Sequence, residues 1–110
     1  MVLVTAASVA QARPIASAIV AEQLAACVNI VGPIRSIYRW QNRVERAREV
    51  LMIIKTRAAL LNRLERRIGE LHPYEVPEVL AFQVESGARG YLDWLTQATG
   101  GRVVRTRRKR

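Results

Sequence analysis

The chain has only one cysteine and one histidine among its 110 residues. A single cysteine, Cys27, cannot form an internal disulfide, which predicts a reducing compartment. No apolar run approaches the ~20 residues of a membrane-spanning helix, so we expect a cytoplasmic protein with no membrane segment. Because no nucleophile elbow, phosphate-binding loop or metalloprotease motif occurs either, the sequence predicts that the protein is not an enzyme.

Acidic residues are also scarce, since 9 Asp and Glu stand against 18 Lys and Arg, a formal net charge of +9. Six of the basic side chains fall in residues 102–110, and the remainder of the chain is only mildly basic. A like-charge run does not pack, so the sequence predicts one folded domain over residues 1–101 and a disordered basic tail over 102–110. Because no aromatic residue lies among its arginines, the tail is interpreted as solubilising, with at most weak, non-specific polyanion binding.

Hydrophobic patterning in the first half predicts a strand, a helix and a long β-hairpin. Residues 2–5 form a short buried strand, and Ser8 with Gln11 makes a capping-box pattern that starts a helix. A second strand begins at Cys27, with a kink or bulge at residues 32–33. Residues 41–42 form the hairpin tip, and a third strand follows over residues 43–55. Only residues 50–54 are apolar on both faces and therefore buried.

The second half adds a helix, a strand and a last short helix. Thr56 is the expected N-cap of an amphipathic helix whose apolar positions are 60, 64, 68 and 71. Residues 79–84 are predicted to be a strand, and residues 91–98 a helix ended by Gly100 and Gly101. The order predicts an α+β, ferredoxin-like β-α-β-β-α-β fold with an extra C-terminal helix. Helices then cover one sheet face, and we expect a second copy of the chain to cover the other.

Residues 71–78, with the sequence LHPYEVPE, form the most informative segment of the chain. Pro73 and Pro77 each fix φ and push the preceding residue toward extended geometry, so the segment is a stiff connector. A stiff connector that carries His72, Tyr74 and Glu78 can hold polar side chains in one place. It is therefore a candidate site, although a rigid helix-to-strand turn explains the same pattern.

Several runs resemble the CutA family of divalent-cation tolerance proteins. They are LAACVN at 24–29, YRW at 38–40, EV at 49–50, MIIKT at 52–56, HPYEVPE at 72–78 and YLDWL at 91–95. The resemblance covers about residues 1–98 at the family's spacing. It implies a homotrimer in which each long hairpin extends the sheet of a neighbour. It also implies a role in tolerance of divalent metals, with copper binding reported for some members.

The resemblance also implies candidate metal ligands. Cys27 and His72 fall where relatives have been considered to bind metal, and a thiolate suits copper while an imidazole suits copper or zinc. Val4 departs from relatives that carry a further cysteine on the first strand, which argues against a site built on two thiolates. Two alternatives stay open, namely that Cys27 is a small buried hydrophobe and that His72 complements the helix dipole.

A second polar group consists of Glu49, Lys55, Tyr74 and Glu78. A lysine at the end of an apolar strand needs a carboxylate if it is buried, and Glu49 or Glu78 is the expected partner of Lys55. The group is either a subunit-cleft site for an anionic small molecule or an interface ion network. Trp40, near the hairpin tip, is expected to anchor a neighbouring subunit.

The favoured function is that of a non-catalytic, homotrimeric divalent-cation tolerance protein that binds copper or another divalent cation and requires no cofactor. One alternative is a small-ligand sensor like the PII proteins, using the inter-subunit cleft. The other is a structural or nucleic-acid-tethered trimer that acts through its basic tails.

Overall fold

The structure, a computed structural model, describes residues 1–103 and contains the predicted elements in the predicted order. The strands are β1 (Val2–Ala6), β2 (Cys27–Trp40), β3 (Arg43–Lys55) and β4 (Leu80–Ala81). The helices are α1 (Val9–Ala21), α2 (Leu61–Leu71), which follows a 3-10 turn at Ala58–Leu60, and α3 (Arg89–Ala98). Most of the predicted basic tail, residues 104–110, lies outside the described residues.

The four strands form one antiparallel sheet in the order β2-β3-β1-β4. β1 pairs with β3 from Val2 opposite Ile54 to Ala6 opposite Val50. Beyond that point the β2–β3 hairpin continues alone, which explains the elongated dimensions of 61 × 24 × 21 Å. The arrangement is the split β-α-β topology, so the predicted ferredoxin-like α+β fold is confirmed.

The core lies between the sheet and the helices α1 and α2. Alternate residues of the sheet point toward the helices, where apolar side chains from both layers are buried. The buried set comprises Val2, Val4, Ala6, Val50, Met52 and Ile54 from the sheet and Ala12, Ile15, Ile19, Leu64 and Ile68 from the helices. The opposite face of the sheet is covered by no helix within residues 1–103, so it remains partly exposed.

The hairpin has the two local features that its sequence predicts. Gln41 and Asn42 occupy the tip with φ angles of 50° and 64°, the left-handed conformation that two-residue hairpin turns favour. The pairing of β2 with β3 shifts register between Val31 and Ile34, which confirms the irregularity predicted at residues 32–33. A Cβ added to Gly32 would lie 2.6 Å from a methyl carbon of Val50, so the close approach of the strands there requires glycine.

Two local predictions from the sequence are wrong. The strand predicted over residues 79–84 is reduced to Leu80–Ala81, and its pairing toward β1 reaches no further than Phe82, which exchanges two hydrogen bonds with Met1. Thr56 caps no helix; instead its hydroxyl donates to the carbonyl oxygen of Leu24 at 2.7 Å, and this bond ties the end of β3 to the turn before β2.

Helix α3 is held to the domain mainly near its C-terminal end. The guanidinium of Arg57 donates to the hydroxyl oxygen of Thr99 at 2.9 Å and to its carbonyl oxygen at 3.0 Å. The large side chains Tyr91, Leu92 and Trp94 remain exposed. Among the described helices, none combines the length and apolar character needed to cross a membrane.

Candidate functional site

His72 follows the last residue of α2 and is almost fully buried. Its Nδ1 accepts a hydrogen bond from the backbone N–H of Tyr74 at 3.1 Å, so its Nε2 carries the proton and donates to the carbonyl oxygen of Thr5 at 2.7 Å. Both ring nitrogens are therefore engaged with the backbone. In this arrangement His72 joins the end of α2 to β1, and a metal ion could bind the ring only after one of these bonds breaks.

Tyr74 lies beside His72 and reaches the hairpin. The ring centroids of the two side chains are 4.6 Å apart, and the Tyr74 hydroxyl donates to Oε2 of Glu49 at 2.7 Å. Burial raises the pKa of Tyr74 above its ordinary value of 10, and the hydrogen bond to the Glu49 carboxylate raises it further. The phenol therefore stays protonated and remains a donor to Glu49 throughout the neutral range.

Together these contacts form a cluster at the root of the hairpin, made of His72, Tyr74 and Glu49. Glu49 is 8% exposed and stands immediately before Val50, the first residue of β3 that pairs with β1. The connector after α2 is thus tied both to β1 and to the hairpin at the point where the hairpin leaves the sheet. The sequence placed these three residues in candidate groups, and the structure brings them together.

Replacing Tyr74 with phenylalanine tests the contribution of this cluster. Loss of a hydrogen bond to a carboxylate is expected to lower the free energy of unfolding by about 1 to 2 kcal/mol at neutral pH, measured by urea denaturation. Because the folded-state pKa of Tyr74 is raised, the unfolded chain ionises first as the pH rises above 10, and this stabilising contribution declines there. The stability difference between wild type and Tyr74→Phe should therefore shrink above pH 10. A constant difference across that range would contradict the assignment.

Lys55 lies at the other end of the sheet, and within one chain it does not contact either of the carboxylates predicted as its partner. Its ammonium group donates to Oδ1 of Asn29, not to Glu49 or Glu78. Glu49 is six residues earlier on the same strand, a separation of about 20 Å. Glu78 is exposed, and no hydrogen-bond or ion-pair partner for it occurs among residues 1–103. The predicted four-residue polar group is therefore split within one chain.

Cys27 also lies at this distant end, opposite Lys55 in the pairing of β2 with β3. It is a free, half-buried thiol. Thr5, which holds His72, pairs with Leu51, so the two candidate ligands are separated by about 14 Å along the strands alone. Within the described residues, no three His, Cys, Asp or Glu side chains are grouped closely enough to hold a metal ion. One chain therefore does not bring Cys27 and His72 into a shared metal centre.

Two partners of the predicted residues were missed by the sequence. Asn29 is two residues after Cys27, so strand alternation places it on the same face as Cys27 and Lys55, a signal that could have found it. The Thr5 carbonyl carries no side-chain signal, because any residue there supplies the same acceptor. Trp40 is 41% exposed near the hairpin tip, and its role as a subunit anchor stays a prediction.

A further candidate binding surface is the side of the sheet that no helix of residues 1–103 covers, which we call the open sheet face. Residues paired across antiparallel strands share a face, so the register places one set of apolar side chains together there. The set is Leu3, Val31, Ile34, Tyr38, Trp40, Leu51, Ile53 and Leu80. Val31, Tyr38, Trp40 and Leu80 are between 41% and 51% exposed, and the other four are partly exposed. Near the hairpin tip this face is mixed, because Ile34, Tyr38 and Trp40 are paired with Glu49, Glu45 and Arg43. Exposed apolar side chains grouped on one face are typical of protein–protein interfaces.

Comparisons with known proteins match nearly the whole described chain. The family model described as "CutA1 divalent ion tolerance protein" matches residues 1–98. The "Divalent-cation tolerance protein CutA" of Thermus thermophilus is 49% identical over 100 residues, which are 91% of this chain and 97% of that protein. "Protein CutA" of Mus musculus is 48% identical over 80% of this chain, and the match spans 50% of the mouse protein. "Protein CutA, chloroplastic" of Arabidopsis thaliana is 43% identical over 90% of this chain and 54% of that protein.

Solved structures agree in fold. The divalent cation tolerance protein of Thermus thermophilus superposes with a TM-score of 0.88 at 49% identity, covering 90% of this chain and 96% of that one. The "periplasmic divalent cation tolerance protein CutA" of Archaeoglobus fulgidus gives a TM-score of 0.86 at 35% identity, covering 89% of this chain and 95% of that one. The similarity therefore extends to relatives whose names place them in different compartments.

Proposed function

Because the chain belongs to the CutA1 divalent ion tolerance family, we propose that it serves divalent-cation tolerance as a homotrimer, without a catalytic step. The observation that carries the homotrimer is the open sheet face. Covering its apolar side chains stabilises an assembly by roughly 25 cal/mol per Å² of apolar surface removed from water. A second and a third copy of the same chain supply the same surface, so no other partner is needed.

The shape of the hairpin supports a cyclic arrangement. The hairpin and the body of the chain are parts of one sheet, so the hairpin cannot fold back onto its own open sheet face. It can instead extend onto the next copy, a head-to-tail contact that closes into a ring. Three such sheets, each turned inward, enclose all three open sheet faces. Trp40 near the tip would then lie against the neighbouring copy.

For the metal, we favour Cys27 over His72 as the protein ligand. The Cys27 thiol is free and partly accessible, whereas both nitrogens of His72 are engaged with the backbone. A soft thiolate suits copper as Cu(I), and among divalent cations it binds Zn²⁺. A single ligand per chain gives weak binding unless several copies contribute, and a trimer supplies three thiols. We therefore propose that copper, or another divalent cation, binds the assembled protein through Cys27, with His72 in a structural role.

Metal binding by Cys27→Ala and His72→Ala tests this assignment. We expect Cys27→Ala to lose copper uptake in equilibrium dialysis, while His72→Ala keeps it but is less stable by about 1 to 3 kcal/mol because two backbone groups lose a partner. Unchanged copper stoichiometry in Cys27→Ala would contradict the assignment. Loss of copper in His72→Ala with Cys27→Ala unaffected would transfer the site to the histidine.

The two alternative functions are not favoured. Small-ligand sensing by the polar group of Glu49, Lys55, Tyr74 and Glu78 would need these residues to converge between copies, since they are split within one chain. Tethering to nucleic acid through the tail depends on residues outside the described range. For the compartment we retain the reducing cytoplasm as a proposal, based on the single cysteine.

A further inference from the structure

The reverse face of the hairpin carries a row of basic side chains. Because strand neighbours alternate, the residues that point away from the open sheet face form a second surface, which we call the arginine face. It consists of Arg35, Ile37, Arg39, Val44, Arg46 and Arg48, paired as Arg35 with Arg48, Ile37 with Arg46, and Arg39 with Val44. All six side chains are exposed. Four of the six are therefore exposed arginines on one ribbon.

No carboxylate of residues 1–103 forms an ion pair with the arginines of this face. The acidic residues of the hairpin, Glu45 and Glu49, point to the opposite side. The ion pairs found within residues 1–103 join Arg67 to Glu22 and to Glu70, which all lie outside the hairpin. Arg35 and Arg48 stand directly opposite each other, an arrangement of like charges that destabilises a strand pair. A bound anion would remove that repulsion.

The spacing of the arginines suits a linear anion better than a compact one. Successive side chains on one face of a strand are about 6.8 Å apart, so the arginine face offers positive charge at three consecutive steps along the hairpin. Arginine binds phosphate through two parallel N–H donors, which makes it well suited to a chain of phosphates. A single small anion would engage only one step, at Arg35 and Arg48.

A second copy of this chain is poorly matched to the arginine face. Of its carboxylates, Glu22 and Glu70 bind Arg67, and Glu49 binds Tyr74. The exposed carboxylates that have no such partner, Glu65, Glu75, Glu78 and Glu85, are distributed over α2 and the irregular segments beside β4. They do not form an acidic strand that could lie along three steps of the hairpin. An external polyanion is the better complement.

We propose that the arginine face binds the phosphate backbone of single-stranded nucleic acid, without sequence preference. Ile37 and Val44, 67% and 54% exposed, lie between the arginines and provide apolar contact for the bases. The aromatic side chains Tyr38 and Trp40 point to the other face, so bases cannot stack on them. Binding to the arginine face therefore depends on electrostatic contacts with phosphates, which carry no sequence preference. The arginine face is the reverse of the face that the proposed homotrimer buries, and binding does not depend on any metal ligand.

The test uses the full-length protein and a fluorescein-labelled oligothymidylate of about 20 nucleotides, followed by anisotropy at several salt concentrations. The variant is Arg35→Gln/Arg48→Gln. The matched control is Arg63→Gln/Arg66→Gln, which removes two exposed arginines from α2 and keeps the basic tail. We expect the hairpin variant to weaken binding about tenfold or more at low salt, and to reduce the slope of log affinity against log salt by about 1.4, while the control changes little.

The possible outcomes distinguish binding at the arginine face from binding by the total positive charge of the protein. Equal losses in the hairpin variant and the α2 control would overturn the proposal, because only total charge would then matter. No loss in the hairpin variant would also overturn it and place any binding in the basic tail. Should Arg35→Gln/Arg48→Gln lose its circular dichroism spectrum, Arg39→Gln/Arg46→Gln decides by the same criteria. Retention of binding by Arg35→Lys/Arg48→Lys would further support binding by positive charge at these two positions, without a need for the paired donors of arginine.

Discussion

Leu51→Asp is expected to convert the assembled protein into folded monomers. Leu51 lies on β3 in the open sheet face, paired with Thr5 on one side and Val31 on the other. In a homotrimer that buries this face, each subunit would lose the apolar contribution of the leucine and would bury an unpaired carboxylate. The combined penalty is at least about 4 kcal/mol per subunit. In a monomer the aspartate faces water, so the chain should retain its fold.

Sedimentation velocity and circular dichroism measure the two parts of this expectation. Ile37→Asp is the matched control, since it makes the same type of change on the reverse face of the same hairpin, where the side chain is 67% exposed. The control should keep the wild-type mass. If Leu51→Asp also keeps that mass, the open sheet face is not the interface.

Met52→Ala is expected to destabilise the fold of each chain, whereas Leu51→Asp is expected to leave the fold intact. Met52 is 0% exposed on the helix-facing side of β3 and packs in the core with Val4 and Ile54. Truncation leaves a cavity beneath α1 and α2, and such changes lower the free energy of unfolding by about 2 to 5 kcal/mol.

Guanidinium denaturation of Met52→Ala and Met52→Leu measures this effect. Leucine fills nearly the same volume, so Met52→Leu should cost less than about 1.5 kcal/mol. Equal destabilisation by both substitutions would contradict the cavity explanation. Substitutions at residues 51 and 52 therefore distinguish assembly from folding. The change at Leu51 acts on the association of chains, and the change at Met52 acts on the stability of each chain.

The parts of the fold that local chemistry specifies were predicted well. The bounds of β3 and the tip at Gln41 and Asn42 match the structure, since turn residues and side-chain alternation are encoded within a few neighbouring positions. The bulge at Gly32 was predicted for the same reason. The length of β4 was not predicted correctly. The length of an edge strand depends on how far its partner strand extends, which is a property of the assembled sheet.

The candidate site also depends on contacts between residues distant in sequence, which could not be predicted. The sequence named Glu49, Tyr74 and His72, but could not state that Tyr74 rather than Lys55 binds Glu49, since that pairing joins residues 25 positions apart. Nor could it show that both nitrogens of His72 are occupied, because one partner is a backbone carbonyl. Strand alternation in the hairpin could have predicted which residues form the arginine face. That the face is exposed depends on the hairpin extending beyond the helices, which only the structure shows.

Native mass spectrometry of the untagged protein, titrated with Cu(II), tests both the proposed homotrimer and its copper binding. We expect a species of three times the 12.4 kDa chain mass that takes up copper. A species with the mass of one chain, at concentrations well above the micromolar range, would contradict the homotrimer. A trimer that takes up no copper would leave the assembly intact and remove Cys27 as the metal ligand.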